Sequence, residues 1–277
     1  MNKTTTTGNI LRFTGLALWM VITIFPFYWI VISSFKDPTV IAAFPVQYWP
    51  EEFTLVNYEN ILSNADFGQF LLNSFVIATI AGSISTAIAV LSGYVLARFH
   101  FRSKGAVIIA FLITQMIPAF IALGPLYVMM SNFNLNDSRL GLILVYITMC
   151  IPFSSIMLRG FFANIPDALE EAAMVDGCTR LSALLRIIVP TMIPGIASAF
   201  IFNFVNCWNE LFLSVTLISA DEKKTIPTAL NGFITTFNID WGPMCAAAVL
   251  TILPTMLLFA FASRYIINGL TAGAVKG

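Results

Sequence analysis

Long apolar stretches separated by short polar segments make up most of the chain. About 20 helical residues cross a bilayer core of about 30 Å, so each stretch can be tested against that length. The stretches that meet it are Phe13–Phe35, Phe67–Ala97, Gly105–Met130, Leu140–Leu158, Ile193–Ile218 and Trp241–Ser263. The pattern therefore predicts six transmembrane helices and an all-α integral membrane protein.

The prolines inside the predicted spans include Pro118 and Pro125 in the third and Pro152 in the fourth. A proline removes one backbone donor from a membrane helix, and neighbouring groups can satisfy the freed carbonyl. We therefore expect kinks in these spans rather than their loss.

Composition supports a membrane protein. The 277 residues are 58% hydrophobic and 10% charged, with a mean hydropathy of +0.86. A single soluble core cannot bury that much apolar surface. The net charge is zero, which argues against a nucleic-acid partner and leaves membrane lipid as the expected surroundings.

The placement of the basic residues predicts the orientation. Of the 14 lysines and arginines, Lys36, Arg139, Lys223 and Lys224 lie on one side of the predicted spans, and the other ten lie on the opposite side. Basic residues favour the cytoplasm. We therefore expect a protein of the cell membrane with both termini in the cytoplasm. Its external loops are expected at Lys36–Asp66, Asn132–Arg139 and Asp221–Asp240.

These expectations describe one transmembrane domain over residues 1–277. Residues 1–66 hold the first span and an external loop, residues 67–267 a five-span core, and residues 268–277 a cytoplasmic tail.

One long polar segment, Asn164–Gly195, interrupts the apolar second half of the chain. Glycine readily adopts the left-handed conformation that ends a helix, so Gly177 is expected to join two short amphipathic helices. In the first of these helices, residues at positions i, i+3, i+4 and i+7 form a narrow face opposite Glu170, Glu171 and Met174. That face comprises Leu169, Ala172, Ala173 and Asp176.

The second helix is expected to begin at Thr179, whose side chain can cap it. The apolar residues Leu181, Leu184, Leu185 and Ile188 keep the helical period. Two prolines, Pro190 and Pro194, are expected to break this helix.

The fifth span carries a polar stripe. Glu210 is the one acidic residue in a predicted span, and such residues are costly and usually functional. On a helical projection Asn203, Asn206 and Glu210 fall within about 60° of one another, with Asn209 displaced by about 60° more. The stripe either lines a substrate pathway or joins helices through hydrogen bonds worth about 0.6–2 kcal/mol each.

The sequence shows no motif for metal binding, disulfide formation or nucleotide binding. The four cysteines have no C-x-x-C spacing, which gives no support to a metal site or a disulfide framework. The single histidine, His100, lies in a basic turn, and no phosphate-binding G-x-x-x-x-G-K-[ST] motif occurs. We therefore expect no catalytic residues, no metal and no cofactor bound by this chain.

The polar segment resembles the EAA loop of the membrane subunits of ATP-binding-cassette importers. The residues that carry the resemblance are Glu171, Ala172, Ala173, Asp176, Gly177, Pro190 and Pro194. It implies a type I importer permease fold whose coupling helix sits in a cleft of a cytoplasmic ATPase. Glu171 would then be a charged contact, Ala172 and Ala173 would allow close approach, and Glu170 is expected to be solvated.

Other stretches are similar to the maltose-type carbohydrate branch of these permeases. They are Asn57-Tyr58, Asn73-Ser74, Trp208-Asn209-Glu210, Thr225-Ile226-Pro227 and the ending GLTAGAVKG. The resemblance implies three partners: a second permease subunit, an ATPase dimer that binds ATP and Mg, and an extracytoplasmic sugar-binding protein.

Two other classes of membrane protein fit the sequence less well. An ion-gradient-driven secondary transporter or channel would ordinarily show more intramembrane charges than Glu210 alone. An intramembrane protease would need an aspartate pair, a Ser/His couple or H-E-x-x-H, and the one histidine lies in a loop.

Overall fold

The computed structural model describes residues 6–63, 66–234 and 239–274 of the chain. Helices account for most of these residues. They are α1 Thr6–Ser34, α2 Pro38–Ile41, α3 Val56–Ser63, α4 Asp66–Arg98, α5 Lys104–Met116, α6 Ala119–Asn132, α7 Arg139–Ala163, α8 Asp167–Val175, α9 Arg180–Ala183, α10 Val189–Thr191, α11 Ile193–Trp208, α12 Phe212–Leu217, α13 Ile226–Asn231 and α14 Trp241–Ala274. A π-helical turn, Leu184–Ile188, joins α9 to α10, and a 3₁₀ turn, Asp221–Lys223, precedes α13.

Four described helices, α1, α4, α7 and α14, are long and apolar enough to cross a membrane. Two bent pairs bring the number to six if each pair forms one span. The four long helices, the α5–α6 pair and α11 correspond to the six predicted spans, with differences in the third, fifth and sixth.

The third span is broken rather than kinked. Helices α5 and α6 meet at an angle of 100° on either side of Pro118, whereas Pro125 lies within α6. Proline has no N–H to continue the helix, and it forces the preceding residue into an extended conformation. Ile117 shows that effect, with ψ of 117°.

The fifth span is shorter than predicted. Helix α11 ends at Trp208, and α12 begins a separate helix at Phe212. At its other end, α11 follows Arg180–Thr191 at a bend of 80°. The prediction of one continuous helix over Ile193–Ile218 is therefore wrong in its last third.

The sixth helix is longer than predicted. The candidate membrane span within it, Trp241–Ala260, agrees with the predicted span, but the helix itself continues to Ala274. Most of the predicted tail, residues 268–277, is therefore helical, and its last three residues lie outside the described ranges.

The chain divides into two compact units. The first comprises Met1–Phe67 with Leu230–Leu253. The loop predicted between the first two spans contains the short helices α2 and α3. Asn57 is fully buried, and its amide donates hydrogen bonds to the carbonyls of Ser34 (3.0 Å) and Lys36 (2.7 Å). The first part of the Asn57-Tyr58 stretch therefore caps the end of α1.

Lys36 is buried in the same unit. Its ammonium donates a hydrogen bond to the Gln47 carbonyl and lies 4.3 Å from the centroid of the Trp29 ring. Burial lowers the pKa of Lys36 because the charged form loses hydration. These contacts tie the loop to α1.

The second unit comprises Gly68–Ala229 with Pro254–Gly277 and holds two apolar clusters. One cluster lies among α4, α6, α7, α11 and α12, around residues such as Tyr146 and Trp208. The other joins the ends of α4 and α7 to residues 184–199, around Phe162 and Leu184. The second cluster therefore anchors the polar segment to the spanning helices.

Small residues allow α4 and α7 to approach closely. A Cβ atom placed on Gly93 would lie 3.0 Å from the backbone nitrogen of Arg159 and 3.2 Å from the backbone carbonyl oxygen of Ser155. The hydroxyls of Ser92 and Ser155 share a hydrogen bond of 2.6 Å beside this contact. Small residues and interhelical hydrogen bonds of this kind are typical of membrane helix packing.

Candidate functional site

The polar segment folds as the predicted pair of helices joined at a glycine. Gly177 has φ of +90°, its N–H donates to the Met174 carbonyl, and the Cys178 N–H donates to the Ala173 carbonyl. This pattern of hydrogen bonds is a Schellman motif, which satisfies the last carbonyls of α8. The predicted left-handed turn is confirmed.

The second helix begins as predicted but ends later. The Thr179 hydroxyl accepts a hydrogen bond from the Ser182 N–H at 3.3 Å and so caps α9. Pro190 does not break the helix, because a π-helical turn precedes it and the Val189 N–H bonds to the Leu184 carbonyl. The helix ends at Thr191, and the break before α11 lies at Met192.

The five residues predicted to couple to an ATPase lie on or next to α8. Glu171, Ala172, Asp176 and Gly177 are exposed, whereas Ala173 is 3% exposed. Four of the five predicted coupling residues are therefore accessible. Ala173 lies on the buried face of α8.

Glu170 was expected to be solvated, and this expectation is wrong. It is only 6% exposed, its carboxylate accepts a hydrogen bond from the Tyr94 hydroxyl, and its second oxygen lies 3.4 Å from Nε of Arg98. The partners precede it by more than 70 residues, and local helix periodicity contains no signal for them. Glu170 shares a helix face with Ala173, which is also buried.

Arg98 connects α4 to the start of α8. Its side chain is 10% exposed, donates a hydrogen bond of 2.8 Å to the Ile165 carbonyl, and forms ion pairs with Asp167 and Glu170. A cleft of about 170 Å³ opens beside these charges. Its lining residues are Arg98, Asp167, Glu170, Glu171, Met174 and Arg180.

The polar residues of the fifth span occupy three different environments. Asn203 is fully buried on α11, where its amide donates to the Thr86 hydroxyl (3.0 Å) and its carbonyl accepts from the Ser154 hydroxyl (2.6 Å). These bonds join α11 to α4 and α7. Asn206, one turn along the helix, is exposed.

Glu210 lies beyond the end of α11, so the helical projection that placed it in the stripe does not apply to it. Its carboxylate accepts hydrogen bonds from the N–H groups of Leu213 (3.0 Å) and Ser214 (3.2 Å) and from the Tyr146 hydroxyl (3.0 Å). An acid in this position satisfies the free donors of a helix start and interacts favourably with its dipole. Glu210 therefore stabilises α12.

Other residues of the family-like stretches hold the segment that follows α12. The Asn73 amide donates to the carbonyls of Glu222 and Lys224, both at 2.9 Å, and the Ser74 hydroxyl accepts from the Ile226 N–H. These bonds fix residues 222–226 on α4. The sequence predicted no role for Asn73 and Ser74 beyond the resemblance that they carry.

A second set of contacts holds the same segment from the turn before α7. The Asp137 carboxylate accepts hydrogen bonds from the N–H groups of Ala220 and Ser219, both at 2.9 Å, and from the Lys223 ammonium at 2.8 Å. The Ala220 N–H, with Lys223 and the Ser219 N–H, lowers the pKa of Asp137 to about 2. Asp137 therefore stays ionised at any physiological pH.

The chain matches the family model described as binding-protein-dependent transport system inner membrane component over residues 85–270. The diacetylchitobiose uptake system permease protein DasC of Streptomyces coelicolor is 36% identical, with 92% of each chain covered. The sulfoquinovosyl glycerol transport system permease protein SmoH of Agrobacterium fabrum is 34% identical, with 98% of this chain and 95% of that one covered.

A solved structure shares the fold. A chain of a bacterial ABC transporter involved in the import of the acidic polysaccharide alginate superimposes with a TM-score of 0.83 at 21% identity, covering 96% of this chain and 99% of that one. The resemblance to importer permeases drawn from the EAA-like loop is confirmed. The protein is a multi-pass translocation subunit rather than an enzyme. The chain thus belongs to the family of inner membrane components of binding-protein-dependent transport systems.

Proposed function

We propose that this chain is one of two permease subunits of an ATP-driven importer for carbohydrates, in the class of oligosaccharides and glycosides. Two relatives that match nearly its whole length are named for the uptake of diacetylchitobiose and for the transport of sulfoquinovosyl glycerol. The observation that carries the proposal is the helical hairpin of α8 and α9, with its ordered glycine turn and its exposed acid, Glu171.

The exposed surface of this hairpin supports an ATPase dimer as its partner. Val175 is 86% exposed, Leu181 59% and Leu169 44%, although the segment is polar overall. Neighbouring exposed apolar side chains favour a protein interface. In this proposal the ATPase binds ATP and Mg, and this chain contributes Glu171, Ala172, Asp176 and Gly177 to the contact.

The pathway lies between this chain and a second permease. Asn206 is exposed on α11, and its amide both donates and accepts hydrogen bonds, as sugar hydroxyls require. An extracytoplasmic binding protein delivers the sugar. The ion-gradient alternative depends on Glu210, whose carboxylate is occupied by hydrogen bonds within the chain.

Reconstitution tests this function. We expect proteoliposomes holding both permeases, the ATPase and the binding protein to accumulate labelled di- and oligosaccharides or glycosides only when ATP is supplied. A complex with a hydrolysis-deficient ATPase is the control. Uptake driven by a proton or sodium gradient without ATP would contradict the proposal.

The proposed orientation places both termini in the cytoplasm and makes a labelling prediction. Phe133 follows α6 in the predicted external loop and is 67% exposed, and the native Cys178 lies in the predicted cytoplasmic hairpin. In intact cells, we expect an impermeant thiol reagent to label a Phe133→Cys variant. Cys178 should react only after the cells are opened, with Cys178→Ser as control; the reverse pattern would refute the orientation.

A further inference from the structure

A buried carboxylate lies between α8 and the end of α4. Glu170 is 6% exposed and Tyr94 is 5% exposed, and the Tyr94 hydroxyl donates a hydrogen bond to the Glu170 carboxylate. Removing a carboxylate from water is costly unless it gains hydrogen bonds and an opposite charge. Tyr94 and Arg98 supply both, and they are four residues apart on one face of α4.

Arg98 extends this contact over the whole start of α8. The guanidinium group meets the Ile165 carbonyl and the carboxylates of Asp167 and Glu170. One side chain of α4 therefore contacts the segment that leads into α8 and two acidic residues of the first turn of α8.

Tyr94 is itself fixed in the apolar cluster beneath α8. Its ring makes edge contacts with Phe162 at a centroid distance of 5.7 Å and with Phe99 at 5.9 Å. A displacement of Glu170 would therefore act on a tyrosine of α4 whose ring is packed against Phe99 and against Phe162 near the end of α7. Along the chain, α8 is connected to α7 and α9, and these side chains connect it directly to α4.

We propose that Tyr94, Arg98 and Glu170 form a clamp that makes α4 move together with α8. The inference rests on the proposed function, in which the ATPase displaces α8. Glu171 on the exposed face would receive the displacement, and Glu170 on the buried face passes it to α4. The three residues are positioning residues, because they act through the helices and touch neither sugar nor ATP.

The experiment measures ATP hydrolysed per sugar transported by the complete complex in proteoliposomes. Tyr94→Phe removes one hydroxyl, and Glu170→Ala removes the carboxylate. We expect each variant to raise the ATP consumed per sugar by about threefold or more, because a hydrogen bond to a buried charge is lost. The double variant should add little to either single change, since both break one link.

Asp167→Asn is the matched control. Asp167 pairs with the same guanidinium, but its side chain is 72% exposed and its ion pair is screened by water. We expect a nearly unchanged ATP-to-sugar ratio for this variant. Glu171→Gln should instead weaken copurification of the ATPase.

The outcomes separate the clamp from the proposed function. If the wild-type complex shows no ATP-driven uptake, the function itself fails. If the wild type transports and both clamp variants keep its ATP-to-sugar ratio, the clamp is overturned. A lower amount of complex with an unchanged ratio also overturns it, because Glu170 would then serve only folding; Tyr94→Phe keeps this test available if Glu170→Ala does not fold.

Discussion

Gly177→Val is expected to reduce uptake by about tenfold or more while the chain still inserts into the membrane. Gly177 has φ of +90°, and a Cβ atom placed on it would meet no atom within 4 Å. The expected damage is therefore conformational rather than steric. A β-branched residue in this region costs about 1–3 kcal/mol, and 1.4 kcal/mol corresponds to a factor of ten.

The strain would be relieved by a change in the turn between α8 and α9, which would move α8 with its exposed Glu171 and the neighbouring Asp176. Uptake, membrane content and copurified ATPase should be measured together. Gly177→Asn is the matched control, since asparagine tolerates left-handed conformations and should retain most of the activity. Equal uptake by the valine and asparagine variants would show that the turn does not matter for coupling.

Local signals in the sequence were sufficient to predict the hairpin. Gly177 is required by backbone sterics, and Thr179 caps the helix that begins one residue later, so both depend on a few neighbouring residues. The spans were predictable in the same way, because length and apolarity alone determine which helices can cross a bilayer.

The errors have non-local or competing causes. Glu170 is buried because residues of α4 pair with it, and neither its spacing nor its neighbours indicate those partners. The fifth span ends early because Glu210 satisfies the N–H groups of a new helix, although an acid three residues before Leu213 was a usable capping signal. Pro190 was expected to end a helix, but a π-helical turn accommodates it.

The two asparagines of the polar stripe on α11 lie one helical turn apart but in different environments. Asn203 is buried between Thr86 and Ser154, whereas Asn206 is exposed. We expect Asn203→Leu to lower the yield and thermal stability of the folded chain. Hydrogen bonds between membrane helices contribute about 0.6–2 kcal/mol each, and two such bonds would be lost.

Asn206→Leu is expected to leave folding intact and to slow uptake by about tenfold or more. A sugar that crosses the bilayer must replace water with side-chain hydrogen bonds, and each hydroxyl left unpaired costs about 1–3 kcal/mol. Assembly with the partner permease, sugar-stimulated ATPase activity and uptake should be measured on the same preparation. Full assembly with impaired uptake assigns Asn206 to the pathway, and lost assembly assigns it to the contact with the second permease. Unchanged uptake in a fully assembled complex would remove Asn206 from both roles, because an exposed amide that neither a sugar nor a partner helix contacts can become leucine at little cost in a membrane.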